Sequence, residues 1–256
     1  MNLHERMKQY EAVSQTYLMR RTPVIIRLDG VAFHTFTANF DKPFDVVFCT
    51  AMRMTTDYLV DHIQGCVLGY TQSDEISLVL QDYKKLDTDT WFGYNIQKLV
   101  SVSAKIATDQ FHRAFENATC GIDDKKCIYV YMSAMRNNNV GFDSRCFNLP
   151  FEEVNNYLID RQQDAERNSI NLLAQQYYSQ KELDGIKSNE LQNKLFTEKG
   201  VNWNHLVYYQ KRGFVALPNN DPNPKDILDG TPIFSKEPEF VNSRIRFDKE
   251  DDENDH

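Results

Sequence analysis

The stretch Val24-Ile25-Ile26-Arg27-Leu28-Asp29-Gly30, continuing to Phe33-His34-Thr35-Phe36, constrains the fold of this chain most. An apolar, β-branched run ends in a carboxylate and then a glycine. A buried strand delivers a charged group to its exposed end in this way, and glycine permits the tight turn that follows. A second stretch answers it. Gly69-Tyr70-Thr71-Gln72-Ser73-Asp74-Glu75 leads into Ile76-Ser77-Leu78-Val79-Leu80, which places two more carboxylates at a turn between apolar runs. If the two stretches pair in one sheet, Asp29 and Asp74 face each other across a divalent metal site. Asp alone is common at turns, because its side chain bonds nearby backbone. The pairing of two such residues is what points to chemistry.

The chain in order supports such a sheet. Leu3 to Arg21 has helical spacing, closed by Thr22 and Pro23. Val24 to Leu28 reads as a strand, and Asp45 as a possible cap for a helix from Val47 to Ile63. Cys66 to Tyr70 and Ile76 to Leu80 read as a hairpin, Trp91 to Asn117 as a helix, and Ile128 to Met132 and Phe142 to Leu149 as strands. Strand, helix, strand, strand, helix, strand predicts an α+β, ferredoxin-like antiparallel sheet with helices on one face. Phe151 to Tyr178 and Lys187 to Phe196 follow as helices, and Phe214 to Leu217 as a short strand. From Pro218 the chain reads as loop, and after Phe247 as a disordered acidic tail. Three regions are therefore expected: a sheet domain that carries the carboxylates over 1–150, a helical region over 151–217, and a loop with tail over 218–256.

Composition narrows the class. The five cysteines are widely spaced and include no Cys-x-x-Cys pair, which argues against a disulfide framework or a zinc site. The N-terminus, Met1 to Gln15, lacks the apolar core of a signal peptide, and no apolar run approaches a membrane span; a cytoplasmic protein is expected. Net charge is −8 overall, but Asp248 to His256 carries six acids against one lysine, which leaves −3 for the rest. Local basic pairs such as Arg20-Arg21, Lys84-Lys85, Lys125-Lys126 and Lys211-Arg212 keep a polyanionic partner open.

Around the carboxylates, successive backbone N–H groups after Gly30 suit a triphosphate, with His34, Lys42 and Ser73 as further donors. Mg²⁺ takes hard oxygen ligands and retains waters and substrate phosphates, so Asp29, the Gly30 carbonyl and Asp74 are sufficient protein ligands. No Walker P-loop, dinucleotide fingerprint or nucleophile elbow occurs.

Five ordered motifs together resemble the tRNA-His guanylyltransferase family of 3′-to-5′ polymerases. They are Arg6-Met7-Lys8-Gln9-Tyr10-Glu11, Arg27 to Phe36, Lys42-Pro43-Phe44-Asp45, Gln72 to Glu75 and Phe142-Asp143-Ser144-Arg145. The resemblance spans about Arg6 to Gly213. It implies a polymerase-like palm, with two Mg²⁺ ions on Asp29, Gly30 and Asp74 and with Glu75 supporting catalysis. It implies nucleotide contacts from Gly30, Val31, Ala32, Phe33, His34, Lys42, Asp45, Ser73 and Lys98, and GTP, ATP and other nucleoside triphosphates as substrates. It implies RNA contacts from Arg145, Arg161, Arg167, Asn168, Lys211 and Arg212, with tRNA as partner in a homotetramer. Two departures matter. Asn95 stands where the family has an arginine. The eukaryotic motif His-Ile-Asn-Asn-Leu-Tyr-Asn is replaced by Glu166-Arg167-Asn168-Ser169-Ile170-Asn171-Leu172, although Arg161-Gln162-Gln163-Asp164 before it survives. That places the chain closest to the bacterial, archaeal and phage branch, for which the expectation is templated repair of 5′-truncated tRNA. Alternatives are non-templated G addition to tRNA-His, a palm-type nucleotidyl cyclase, and an inert tRNA-binding protein.

Overall fold

The computed structural model describes residues 1–85, 87–222 and 230–247. The expected acidic tail, 248–256, lies outside the described residues. Five strands form one antiparallel sheet in the order β4-β1-β3-β2-β5: β1 Val24–Val31, β2 Cys66–Gln72, β3 Glu75–Leu80, β4 Gly141–Asn148 and β5 Phe214–Ala216. The first four strands, with α3 (Val46–His62) between β1 and β2 and α4 (Ile96–Cys120) between β3 and β4, give the expected ferredoxin-like order.

Both faces of this sheet are covered, which explains why β1 opens with apolar residues in succession. Val24, Ile26 and Leu28 join Ile76, Leu78 and Leu80 in a core beneath α3 and α4. Ile25 and Val79 point the other way, into a second core with Val154 and Leu158 of α6 (Phe151–Ala174) and Phe240, Val241 and Ile245 of α10 (Pro238–Ile245). The palm helices thus occupy one face as expected, and the C-terminal helical region caps the other. A third, smaller core joins the end of α6 to α8 (Ser188–Lys199) and Trp203, with α7 (Gln180–Leu183) between the two helices.

Three local expectations need correction. Ile128 to Met132 is not a strand: it lies within α5, Lys125–Asn137. Its β-rich residues also carry helical spacing, and Cys127, Val130, Tyr131, Ala134 and Met135 pack on the first core. The N-terminal helix, α1, stops at Val13 rather than Arg21, because Thr16 to Leu18 leave it to bond backbone at Tyr94 to Ile96. Residues 238–245, expected as loop, form α10, which starts on Pro238 in the first turn, where its missing N–H costs nothing.

Candidate active site

The register assembles the site. Asp29 on β1 lies opposite Glu75 on β3 and Asp143 on β4, so all three carboxylates share the face covered by α6. Arg27, two residues earlier, points the same way and lies opposite Ser77 and Arg145. The β2–β3 hairpin closes through two residues, Ser73 and Asp74, since Gln72 pairs with Glu75. Ser73 adopts φ 55°, a conformation that costs a non-glycine residue energy and tends to persist at functional sites. The end of β1 packs directly on this turn. The Gly30 N–H donates to the Asp74 carbonyl at 3.0 Å. A Cβ on Gly30 would lie 2.9 Å from the Asp74 Cβ and 2.5 Å from the Phe33 ring, so only glycine lets the strand approach.

A cavity of about 260 Å³ opens between this turn and α6. Asp29, Ser73, Asp74 and Glu75 form its floor, with Arg27, Tyr70 and Gln72 beside them. Arg161, Asp164, Ala165 and Asn168 of α6 form its roof. Burial pushes the Asp74 carboxyl above its usual range, and the nearby Asp29 charge adds to that, against its own backbone N–H and the Ser73 hydroxyl. Burial also raises Glu75, and two guanidinium groups pull it back. Arg27 Nη2 donates to Glu75 Oε2 at 2.5 Å and Arg161 Nη1 to the same oxygen at 3.4 Å. Arg161 is further held by Asp160 at 2.5 Å and Asp164 at 3.1 Å. Glu75 therefore ties β1 and the hairpin to α6.

Among the described residues no group of three His, Cys, Asp or Glu side chains forms a metal cage. The donor set still fits Mg²⁺, which binds through one or two carboxylates plus substrate phosphates and waters. The Asp29 and Asp74 carboxylates and the Gly30 carbonyl are hard oxygen donors at one strand end.

The other expected residues distribute around this centre. Val31, Ala32, Phe33 and His34 follow directly and enter the short helix α2, Phe33–Phe36. Phe33 is buried among Phe36, Phe48, Phe111 and Phe142, at ring distances of 5.0 to 5.8 Å, which pins the loop and leaves only its backbone for a ligand. Lys42 donates to the Thr37 carbonyl at 3.0 Å, beside that loop. Asp45 is buried, and its carboxylate accepts from Phe48 N, Asp41 N and Tyr131 Oη. Its position is thus the helix cap, with α5 held onto it. Lys98 is exposed in the first turn of α4, near the start of β1, at the opposite end of the strand from Asp29. Arg145 is exposed and pairs with Asp143 at 3.3 Å, and Arg167 pairs with Asp164. Lys211 and Arg212 end the short helix α9, Tyr208–Arg212. Lys211 Nζ donates to the Asn204 carbonyl, and Arg212 pairs with Glu166 at 2.7 Å over the Trp203 ring. The cavity thus gathers Asp29, Ser73, Asp74, Glu75, Arg161 and Asn168. It adds Arg27, Gln72 and Asp164, which were absent from the expected site. The alternation of β1 already put Arg27 beside Asp29, and the i, i+3 spacing put Asp164 beside Arg161.

Three comparisons with known proteins bear on the fold that carries these residues. A family model described as tRNAHis guanylyltransferase matches residues 4–150. A solved bacterial tRNA(His) guanylyltransferase-like protein in complex with ATP superposes with a TM-score of 0.83 at 38% identity, covering 96% of this chain and 100% of that one. The tRNA(His) guanylyltransferase of Schizosaccharomyces pombe is 27% identical over 83% of this chain and 79% of its own length. An uncharacterised protein of Acanthamoeba polyphaga mimivirus is 28% identical over 82% of this chain and 75% of its own.

Proposed function

The chain belongs to the tRNA-His guanylyltransferase family of nucleotidyltransferases, and from that premise we propose that it extends the 5′ end of truncated tRNA by templated 3′-to-5′ addition. The observation that carries the reading is the meeting of Asp29 and Asp74 beneath a guanidinium-bearing roof, in a cavity of nucleotide-accepting polarity. A 5′-monophosphate first attacks the α-phosphorus of ATP, which releases pyrophosphate and leaves an adenylylated end. The 3′-hydroxyl of the incoming triphosphate then attacks that 5′ phosphorus and expels AMP. Asp29, Asp74 and the Gly30 carbonyl would hold two Mg²⁺ ions, which lower the pKa of the attacking hydroxyl and neutralise the leaving group. The chain's own work is placement. Glu75 fixes Arg161 and Arg27 over the floor, so their cationic edges meet phosphate oxygens without reorganising. The loop from Gly30 to His34, with Ser73 and Lys42, presents donors to the triphosphate. Asn168 and Arg161 roof the RNA end, and Arg145, Arg167, Lys211 and Arg212 dock its phosphates.

This reading divides the chain into a catalytic part over 1–150 and an RNA-contacting part over 151–217. It includes a cytoplasmic homotetramer. What supports assembly is α1, none of whose residues is buried and whose Leu3, Met7, Tyr10 and Val13 stand in solvent. No helix among the described residues is long and apolar enough to cross a membrane. The deciding experiment supplies labelled triphosphates and tRNA transcripts lacking their first nucleotide. Template-matched addition to several tRNAs is expected. Addition of G to tRNA-His alone, whatever the opposing base, would replace repair with tRNA-His-specific guanylylation. A cyclic product from ATP or GTP alone would replace both.

A further inference from the structure

On the face of the sheet opposite α6, next to the Ser73–Asp74 turn, lies a group of aromatic rings that the chemistry above does not use. Thr71 pairs with Phe214 in the sheet, on the face that carries α3. Phe214 stacks on Tyr209 with ring centroids 5.0 Å apart and planes within 5°. Tyr208 meets Phe214 edge-on at 6.0 Å and is 42% exposed. The Arg53 guanidinium, on α3, stands 5.9 Å from the Phe214 ring centroid, with its side chain 58% exposed. The segment cannot drift from the turn. Gly213 has φ 75°, and a Cβ there would lie 2.3 Å from the Thr71 carbonyl and 2.9 Å from the Gln72 Cβ. Thr231 Oγ1 holds the Gly213 carbonyl at 2.5 Å.

We propose that Tyr208, Tyr209 and Phe214, with Arg53, form a stacking shelf for an RNA base beside the catalytic turn, and that the base is the template nucleotide opposite the growing 5′ end. The inference rests on the proposed function, which brings an RNA end to Asp74. Templated addition needs the opposing base held in plane with the incoming one, and the one aromatic lining the cavity, Tyr70, is buried with its hydroxyl donated to the Arg212 carbonyl, so it offers no open face for stacking. Aromatic faces bind any base, because every base has a π-face, and an arginine plane adds to the stack. The rim supports RNA over a protein partner: the Arg53 guanidinium stands beside the Phe214 ring, paired at 3.5 Å with the half-exposed Asp57, and the phenol of Tyr208 is exposed at the edge of the stack.

The test is equilibrium binding of a labelled tRNA transcript that lacks its first nucleotide, with the template nucleotide either intact or abasic. It compares the unaltered protein with Tyr208→Ala and Phe214→Leu, and Phe214→Trp serves as the conservative variant. Thermal melting checks that each is folded, and the exposed Tyr208 provides a variant whose folding does not depend on the stack. Stacking predicts about tenfold weaker binding for Tyr208→Ala and Phe214→Leu, and recovery in Phe214→Trp. It predicts a similar loss for the unaltered protein on the abasic transcript, with no further loss when both changes are combined. Additive losses, or unchanged RNA affinity in both variants, would overturn the shelf. Binding is read without turnover, so absence of nucleotide addition by the unaltered protein counts against the proposed function alone.

Discussion

Asp74 pays for its position in stability. Its carboxyl sits above the ordinary range because burial disfavours the charge and Asp29 repels it. Between the ordinary and the raised value, the folded state therefore keeps a proton that the unfolded chain has released. In metal-free protein this group adds stability as pH falls through the raised value, and adds no more below the ordinary one. At neutral pH its charge is a cost. Asp74→Asn is expected to abolish nucleotide incorporation while raising the chelated protein's Tm, by about 2–4 °C per kcal/mol recovered. Added Mg²⁺ is expected to raise the Tm of the unaltered protein and not that of the variant. A lower Tm for Asp74→Asn in chelator would contradict the burial argument. Asp29→Ala is likewise expected to lose incorporation with the fold intact, and near-normal activity there would remove the metal assignment. Both aspartates were legible in the sequence, because an apolar run ending in Asp29 and a polar turn carrying Asp74 between two apolar runs are both local patterns. The fate of Asp45 was only half legible. Its cap is local, but the Tyr131 hydroxyl that completes its shell comes from α5, 86 residues away.

At the scale of elements, the site depends on two segments pressed together without room. Gly30→Ala would drive a methyl group against the Phe33 ring and the Asp74 Cβ. Overpacking of that kind costs about 1–3 kcal/mol. The expected result is a lower midpoint in urea together with a loss of incorporation, because the turn must move to admit the methyl. Stability unchanged by the substitution would show that the strand has slack. The strands and the hairpin were readable because their period and turn residues are contiguous. α5 was misread because Ile128-Tyr129-Val130-Tyr131 favours strand locally, while its helix is decided by which side chains meet α4 and the Asp45 cap. α10 was overlooked because its apolar residues, Phe240, Val241 and Ile245, are few and surrounded by polar sequence. Only the uncovered second face of the sheet makes burying them worthwhile.

The whole molecule is fastened around α6. Gln162, buried and adjacent to Arg161, donates to the Pro232 carbonyl at 2.8 Å and accepts from Phe234 N at 3.1 Å. Asn155 donates to the Phe234 carbonyl, and Tyr83 to that of Ile245. The C-terminal segment thus backs the helix that roofs the cavity. Gln162→Met keeps the volume but leaves two buried backbone groups without partners, and is expected to cost about 2–4 kcal/mol in denaturant unfolding. A cost below half a kcal/mol would mean the segment is bonded by other groups. None of this was visible in sequence, since the partners are at least seventy residues apart. The placement of β3 has a further consequence. It is bonded to β1 on one side and β2 on the other, so the Ser73–Asp74 turn projects from the middle of the sheet and cannot swing like a flap. An enzyme that adds successive nucleotides here works as a fixed anvil. After each addition the RNA must step back by one nucleotide past a stationary turn, so it is the acceptor end, and not the turn, that has to let go and reseat.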